Sequence, residues 1–175
     1  MTDRLTICLP ILLAQEGGFS DNPRDPGGAT MLGVTLNAYS AYLGRSASVE
    51  ELKALTAPKV MPIYSRDYWL PSHCDSCPPG VDLMVFDAAV NSGVARSLRW
   101  LQQALGVDAD GIAGKVTLAA LAKADPGRII ILLGALRRTF LHSLPTADDF
   151  PGWFPRVDRL VTMAGQMAAG TFTPA

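Results

Sequence analysis

Glu16 is the residue whose position best suits acid–base chemistry. It follows an apolar stretch that predicts a helix, and two glycines come directly after it, where a helix often ends. A carboxyl group there faces the negative end of the helix dipole, and Leu12, Leu13 and Phe19 are near enough in sequence to shield it from water. Both effects disfavour the ionised form. The sequence therefore predicts a carboxylic acid that can donate a proton near neutral pH.

The Gly- and Pro-rich segment after Glu16 holds the candidates for a second polar group. Asp25 and Thr30 follow in that order, and Asp21 is a competing carboxylate. A protonated acid with a second carboxylate, or with a polar group that holds water, is the minimum equipment for glycoside hydrolysis. The alternative is that the polar residues of this segment only form turns.

The elements that must position these residues are predicted to be helices. Apolar spacing and capping residues predict helices over 4–15, 35–42, 48–55, 56–69, 81–105 with a break at 91–93, 115–123, a helix that begins at 125–126, and 153–169. Residues 17–34 are rich in Gly and Pro and predict turns with at most a short β-hairpin. The expected fold class is mainly α, with one small Gly-rich loop or hairpin lobe near the N-terminus.

Composition restricts the classes of function. The chain has 175 residues, the length of one domain, and 15 Lys and Arg against 16 Asp and Glu give a net charge of −1. This balance offers no basic surface for a phosphate backbone, so no nucleic acid is expected as a partner. The apolar segment 5–14 is too short to span a bilayer and lacks the flanks of a signal peptide. We therefore expect cytoplasmic synthesis and no stable membrane insertion.

The three cysteines form an odd count, which argues against a disulfide framework. His73, Cys74 and Cys77 have the spacing of half a zinc clip, but the second pair of ligands that structural zinc needs is missing from the sequence. We therefore expect no metal here, but a surface loop over Pro71 to Gly80 with two free thiols or a local bridge between Cys74 and Cys77.

Five short motifs follow one another within residues 5–160. They are E-G-G-F-S-D-N-P-x-D-P-G-G-A-T-x-x-G-V-T at 16–35, Y-x-x-x-Y-W at 64–69, F-D-x-x-V-N-x-G at 86–93, L-Q-x-x-L-G with D-G-x-x-G-x-x-T at 101–117, and G-W-x-x-R at 152–156. As an ordered set they resemble glycoside hydrolase family 108, a family of N-acetylmuramidase endolysins.

This resemblance implies a lysozyme-like fold and cleavage of the β-1,4 bond between N-acetylmuramic acid and N-acetylglucosamine, without a cofactor. Glu16 matches the general acid of the family. By a looser resemblance to phage-type lysozymes, which use Glu, Asp and Thr in this order, Asp25 and Thr30 would position the attacking water or stabilise developing charge. The resemblance also implies a single lysozyme-like domain, with a catalytic half over about 1–80 and a helical peptidoglycan-associated half over about 81–175.

Two further groups of residues are candidates for substrate binding. Tyr64, Tyr68 and Trp69 share a helix end, and aromatic rings stack on sugars, although helical spacing also suits core packing. Asp87 and Asn91 lie on one face of an apolar helix. There they require either structural partners or the N-acetyl group of a substrate.

The expected partners are the glycan strands of peptidoglycan. By family resemblance, we expect a monomer that reaches the periplasmic cell wall through a holin or a similar release route. Arg137, Arg138 and Arg156 are expected at the solvated surface, with peptide-stem carboxylates as alternative partners. Two rival functions are a lytic transglycosylase that acts on the same bond and a wall-binding module without turnover.

Overall fold

The computed structural model describes residues 4–21, 28–145 and 152–173. Its regular elements are α1 (Arg4–Leu13), β1 (Thr30–Met31), β2 (Val34–Thr35), α2 (Leu36–Leu43), α3 (Val49–Lys53), α4 (Ala57–Tyr64), α5 (Val81–Ser92), α6 (Val94–Leu105), α7 (Lys115–Leu121), α8 (Pro126–His142) and α9 (Trp153–Ala168). A π-helical turn over Ser65–Trp69 continues α4, and a 3-10 turn covers Cys74–Ser76. The predicted mainly α fold with a small hairpin is confirmed.

The chain divides into two compact units, Met1–Asp67 and Tyr68–Ala175. In the first unit, α1 has the apolar residues of the predicted core helix and packs against α4. Its buried residues are Leu5, Cys8, Leu9, Leu12 and Leu13. The predicted division near residue 80 into a catalytic and a peptidoglycan-associated half stays a prediction.

Helix α1 ends earlier than the sequence predicts. Its last residue is Leu13, because the chain then tightens into a turn in which the Glu16 N–H donates to the Leu13 carbonyl oxygen at 3.1 Å. Neither Gly17 nor Gly18 has a positive φ, so the predicted glycine cap is wrong. Glu16 therefore lies one turn beyond the helix rather than at its last position.

The predicted hairpin is formed by β1 and β2, with Thr30 opposite Thr35. Its two turn residues are Leu32, with a φ of 50°, and Gly33, with a φ of 73°. Positive φ at both central positions is what a two-residue type I′ turn requires, and glycine supplies it without strain at the second position. Ser20 extends this sheet, because it exchanges backbone hydrogen bonds of 2.9 and 2.8 Å with Thr30.

Local capping explains why the helices begin where they do. The Thr35 hydroxyl accepts the Ala38 N–H at 3.1 Å and starts α2 directly after the hairpin. Ser48 and Glu51 form a capping box at the start of α3, where the sequence predicts a helix to begin. Asp125 caps α8, since its carboxylate accepts a backbone N–H from the first turn. These predicted caps are confirmed.

Helix α5 forms the core of the second unit. Every residue from Val81 to Ala89 is buried, and α6, α8 and α9 pack against this helix. Gly93, with a φ of 87°, separates α5 from α6, which confirms the predicted break. The Ser97 hydroxyl of α6 donates to the Val85 carbonyl oxygen at 2.7 Å and ties the two helices together.

The loop around the second and third cysteines lies at the surface as predicted, with His73, Asp75 and Ser76 exposed. Its two cysteines are nevertheless buried, because the 3-10 turn packs them inward beneath α5. Burial raises the pKa of the Cys77 thiol to about 12. Among the described residues, no three His, Cys, Asp or Glu side chains are grouped as metal ligands would be. None of the described helices has both the length and the hydropathy of a membrane span.

Candidate active site

Glu16 lies where the first helix gives way to the hairpin region. Its side chain is half-buried, and the hydrogen bond from its own N–H to Leu13 fixes its backbone against the end of α1. Leu12 and Leu13 are buried. Phe19 is 38% exposed, and the Lys53 ammonium lies 4.5 Å from the centre of its ring. The predicted shielding of Glu16 by these three residues stays a prediction.

The hairpin turn brings backbone close to the Glu16 carboxyl. A Cβ atom added to Gly33 would lie 3.4 Å from Glu16 Oε2 and would overlap the hydroxyl of Tyr64. Only glycine leaves that point open for the hydroxyl and the carboxylate side by side. The sequence analysis missed this role of Gly33, although a Leu-Gly pair between two short extended segments signals a tight turn.

Tyr64 holds the hairpin turn in place. The tyrosine is 1% exposed, and its hydroxyl donates to the Leu32 carbonyl oxygen at 2.9 Å. This bond stabilises the turn at its strained residue, since Leu32 has a positive φ without being glycine. Tyr64 was predicted as a cleft residue that contacts substrate. Its burial favours a positioning role beside Glu16.

Two of the three candidates for a second polar group lie among the described residues. Asp25 lies outside the described residues. Asp21 is exposed and directly follows Ser20, the residue that pairs with Thr30. The Thr30 hydroxyl donates to the Gly28 carbonyl oxygen at 3.1 Å, on the strand that leads into the turn. The choice among these three residues stays a prediction.

The two other aromatic candidates belong to the second unit. Trp69 is 1% exposed, its indole N–H donates to Asp75 at 2.6 Å, and its ring packs edge-on against Phe86 at 5.3 Å. These contacts favour the core role that helical spacing had left open. Tyr68 is half-buried. Its predicted contact with substrate stays a prediction.

Asp87 receives the structural partners that its position requires. It is fully buried and accepts Arg137 Nη1 at 2.5 Å and Arg156 Nη2 at 2.7 Å. The expectation that Arg137 and Arg156 are solvated is therefore wrong, because a buried carboxylate needs charged partners. Arg138 is exposed as expected and pairs with Asp158. Asn91 is exposed, and its side-chain amide donates to the Asp87 carbonyl oxygen at 2.8 Å.

Comparisons with known proteins agree with this architecture. Residues 9–93 match the family model described as Glycosyl hydrolase 108. The structure of SagA from Brucella abortus is similar with a TM-score of 0.83 and 41% sequence identity, over 96% of this chain and 97% of that chain. No curated protein matches the chain.

Fold and comparisons together define a glycoside hydrolase with a mainly α, lysozyme-like fold. The chain belongs to the glycosyl hydrolase 108 family. This is a glycosidase family that acts on peptidoglycan, so the chain is a cell-wall hydrolase.

Proposed function

We propose that the chain is an N-acetylmuramidase of the endolysin type that cleaves the β-1,4 bond between N-acetylmuramic acid and N-acetylglucosamine. The observation that supports it most is the position of Glu16. Its carboxyl group lies beside the glycine of the hairpin turn, since a Cβ atom added to Gly33 would lie 3.4 Å from Glu16 Oε2. A carboxyl group in such a place can transfer a proton to a bound sugar.

In the proposed reaction Glu16 acts as the general acid. Its proton passes to the glycosidic oxygen while the bond from that oxygen to C1 breaks and C1 gains oxocarbenium character. Either water adds to C1 and gives its proton to a carboxylate, or a carboxylate first bonds to C1 and water then displaces it. Tyr64 and Gly33 act as positioning residues, because they fix the turn against which the Glu16 carboxyl rests. No metal or organic cofactor is needed for these steps.

The proposed partners are peptidoglycan glycan strands. As an endolysin, the chain would be made in the cytoplasm, act as a monomer and reach the periplasmic wall through a holin or a similar route. The second unit is proposed to associate with peptidoglycan. These statements rest on the family resemblance.

Glu16→Gln tests the central assignment. The amide cannot supply the proton, so we expect the rate of clearing of a peptidoglycan suspension to fall about 100-fold or more. Glu50→Gln is the matched control, since Glu50 is an exposed glutamate in the first turn of α3 and should leave the rate unchanged. Equal rates for the Glu16 variant and the parent would overturn the assignment.

The products distinguish the rival functions. Mass spectrometry of the released muropeptides should find reducing ends, as hydrolysis gives, whereas 1,6-anhydro ends would identify a transglycosylase. A wall-binding module would release no muropeptides at all.

The second polar group is tested with the same assay. Asp21→Asn, Asp25→Asn and Thr30→Val each remove one candidate without a large change of volume. We expect one of them to lose activity by a factor close to that of Glu16→Gln, and the other two to lose far less. Three small losses would mean that the attacking water is held by another residue.

A further inference from the structure

A cavity of about 560 Å³ opens where three helices of the second unit meet. Its walls come from the end of α6, the end of α7 and the start of α8, and both α7 and α8 pack against α6. All of its lining residues lie within 103–132, a range that the structure describes throughout. The volume falls within the ~300 to 1,000 Å³ of typical ligand sites, so the cavity has room for a short peptide.

The charged groups of this cavity are mostly positive. Its lining includes Lys123 and Arg128 against a single carboxylate, that of Asp125. Both cationic side chains are exposed, and within the part of the chain that the structure describes neither forms a hydrogen bond or an ion pair. Arg128 contacts Asp125 through its backbone N–H, which leaves the guanidinium available. The lining therefore offers two cations to an anionic group that enters from solvent.

The rest of the lining is largely aliphatic. Ala104 and Ile129 are buried, and Leu132 is half-buried. Among the described residues that line the cavity there is no aromatic ring. Proteins hold sugars largely through aromatic rings, whose faces stack on the pyranose. This lining therefore suits small aliphatic side chains better than a glycan strand.

Helix stability explains the aspartate of this cavity but not its arginine. The Asp125 carboxylate accepts the Arg128 N–H at 2.6 Å and thereby caps α8. Arg128 itself lies in the first turn of α8, where the helix dipole disfavours a cation. A cation in that position without a charged partner is better explained by a ligand than by the fold.

We propose that this cavity binds the acidic stem peptide of peptidoglycan. A stem peptide combines alanine methyl groups with free carboxylates, which matches an aliphatic lining that carries two cations. The inference rests on the proposed association of the second unit with peptidoglycan, and it names the part of the polymer that this unit contacts. The glycan strand and the stem peptide are then bound by different units.

Calorimetric titration of the full chain tests the proposal directly. The probe is a synthetic N-acetylated stem tetrapeptide that contains diaminopimelate, compared with the same peptide amidated at all of its carboxyl groups. We expect saturable binding of the acid and binding at least about tenfold weaker for the amide, which lacks the charges that the two cations attract. Added salt should weaken binding of the acid, because exposed charges are screened. Equal affinity for acid and amide would overturn the proposal.

Charge variants locate the site. Lys123→Gln and Arg128→Gln should each weaken binding of the acid about threefold, and the double variant about tenfold. Both side chains are exposed, and Arg128→Gln keeps the backbone N–H that Asp125 accepts, so the fold should be retained. Lys115→Gln is the matched control, since Lys115 is an exposed lysine at the opposite end of α7 and does not line the cavity. Unchanged affinity in the double variant would overturn the proposal.

A filling variant tests the cavity itself while keeping its charges. Ala124→Trp places a large side chain in the lining and should weaken binding of the acid about tenfold or more. Ala122→Trp is the control, because Ala122 is exposed in the same turn and lies outside the lining. Full affinity in a folded Ala124 variant would overturn the cavity as the site, and the charge variants decide the matter if that variant does not fold.

Competition experiments separate the classes of ligand. Displacement of the stem peptide by oligo-L-glutamate, by inorganic phosphate or by an N-acetylglucosamine oligomer at equal concentration would overturn the assignment of a stem peptide, and no displacement would support it. Clearing of peptidoglycan without peptide binding would refute this site and leave the proposed hydrolysis intact. Peptide binding without clearing would support this site and contradict the proposed hydrolysis.

Discussion

Glu16 in the first compact unit and Asp87 in the second are acidic residues in opposite surroundings. Glu16 is half-buried beside a glycine turn, with one carboxylate oxygen close to backbone. Asp87 is fully buried, and each of its oxygens accepts a guanidinium nitrogen. The comparison sets the proposed general acid against a structural carboxylate. The first is only half-buried, whereas the second is a fixed negative charge that holds α5, α8 and α9 together.

The largest expected effect comes from removing the fixed charge. Asp87→Asn should lower the free energy of unfolding by about 3 to 5 kcal/mol, because the buried Arg137 guanidinium loses the charged partner that it shares with Arg156. Urea unfolding followed by circular dichroism measures it. Asp158→Asn is the control, since it breaks an exposed aspartate–arginine pair in the same unit and should cost less than about 1 kcal/mol. Glu16→Gln should show the opposite pattern, with lost activity and retained stability.

A smaller effect is expected from crowding the Glu16 carboxyl. Gly33→Ala places a methyl group against the Tyr64 hydroxyl at a positive φ, and should cost about 2 kcal/mol of stability and reduce turnover about tenfold or more. Gly44→Ala has a similar φ of 67° with open space around it, so it reports backbone strain alone. If both variants behave alike in unfolding and in peptidoglycan clearing, close packing around Glu16 is not required.

The smallest expected effect concerns an acidic residue that is neither the proposed general acid nor the buried partner of two arginines. Glu51 is exposed, and hydrogen bonds from Arg45 and the Ser48 N–H lower its pKa from 4.5 to about 2. A lowered folded-state pKa stabilises the fold above the unfolded value, and this contribution disappears as pH falls toward 2. Glu51→Gln should therefore give a slightly lower melting temperature than the parent at neutral pH. The difference should vanish between about pH 4.5 and 2; a difference independent of pH would contradict this origin.

The features that sequence predicts well are local. Capping at Thr35, Ser48 and Asp125 depends on residues three positions away, and the break at Gly93 depends on a single glycine, so spacing alone is sufficient. Glu16 as the candidate acid also follows from its immediate neighbours, together with the family motif.

The features that sequence does not predict are contacts between distant residues. Tyr64 and Leu32 are 32 positions apart, and Asp87 is 50 and 69 positions from its two arginines. The sequence shows that an aspartate in an apolar helix needs a partner, but it does not choose among 15 Lys and Arg.

The burial of the cysteine thiols determines how readily they are oxidised. Disulfide exchange requires a thiolate, and with a pKa of about 12 only about one Cys77 side chain in 10⁵ is ionised at pH 7. Cys8 and Cys74 are also buried, which limits the access of oxidants to their thiols. The cysteines should therefore stay reduced in an oxidising solution, and the chain should need no oxidative maturation step.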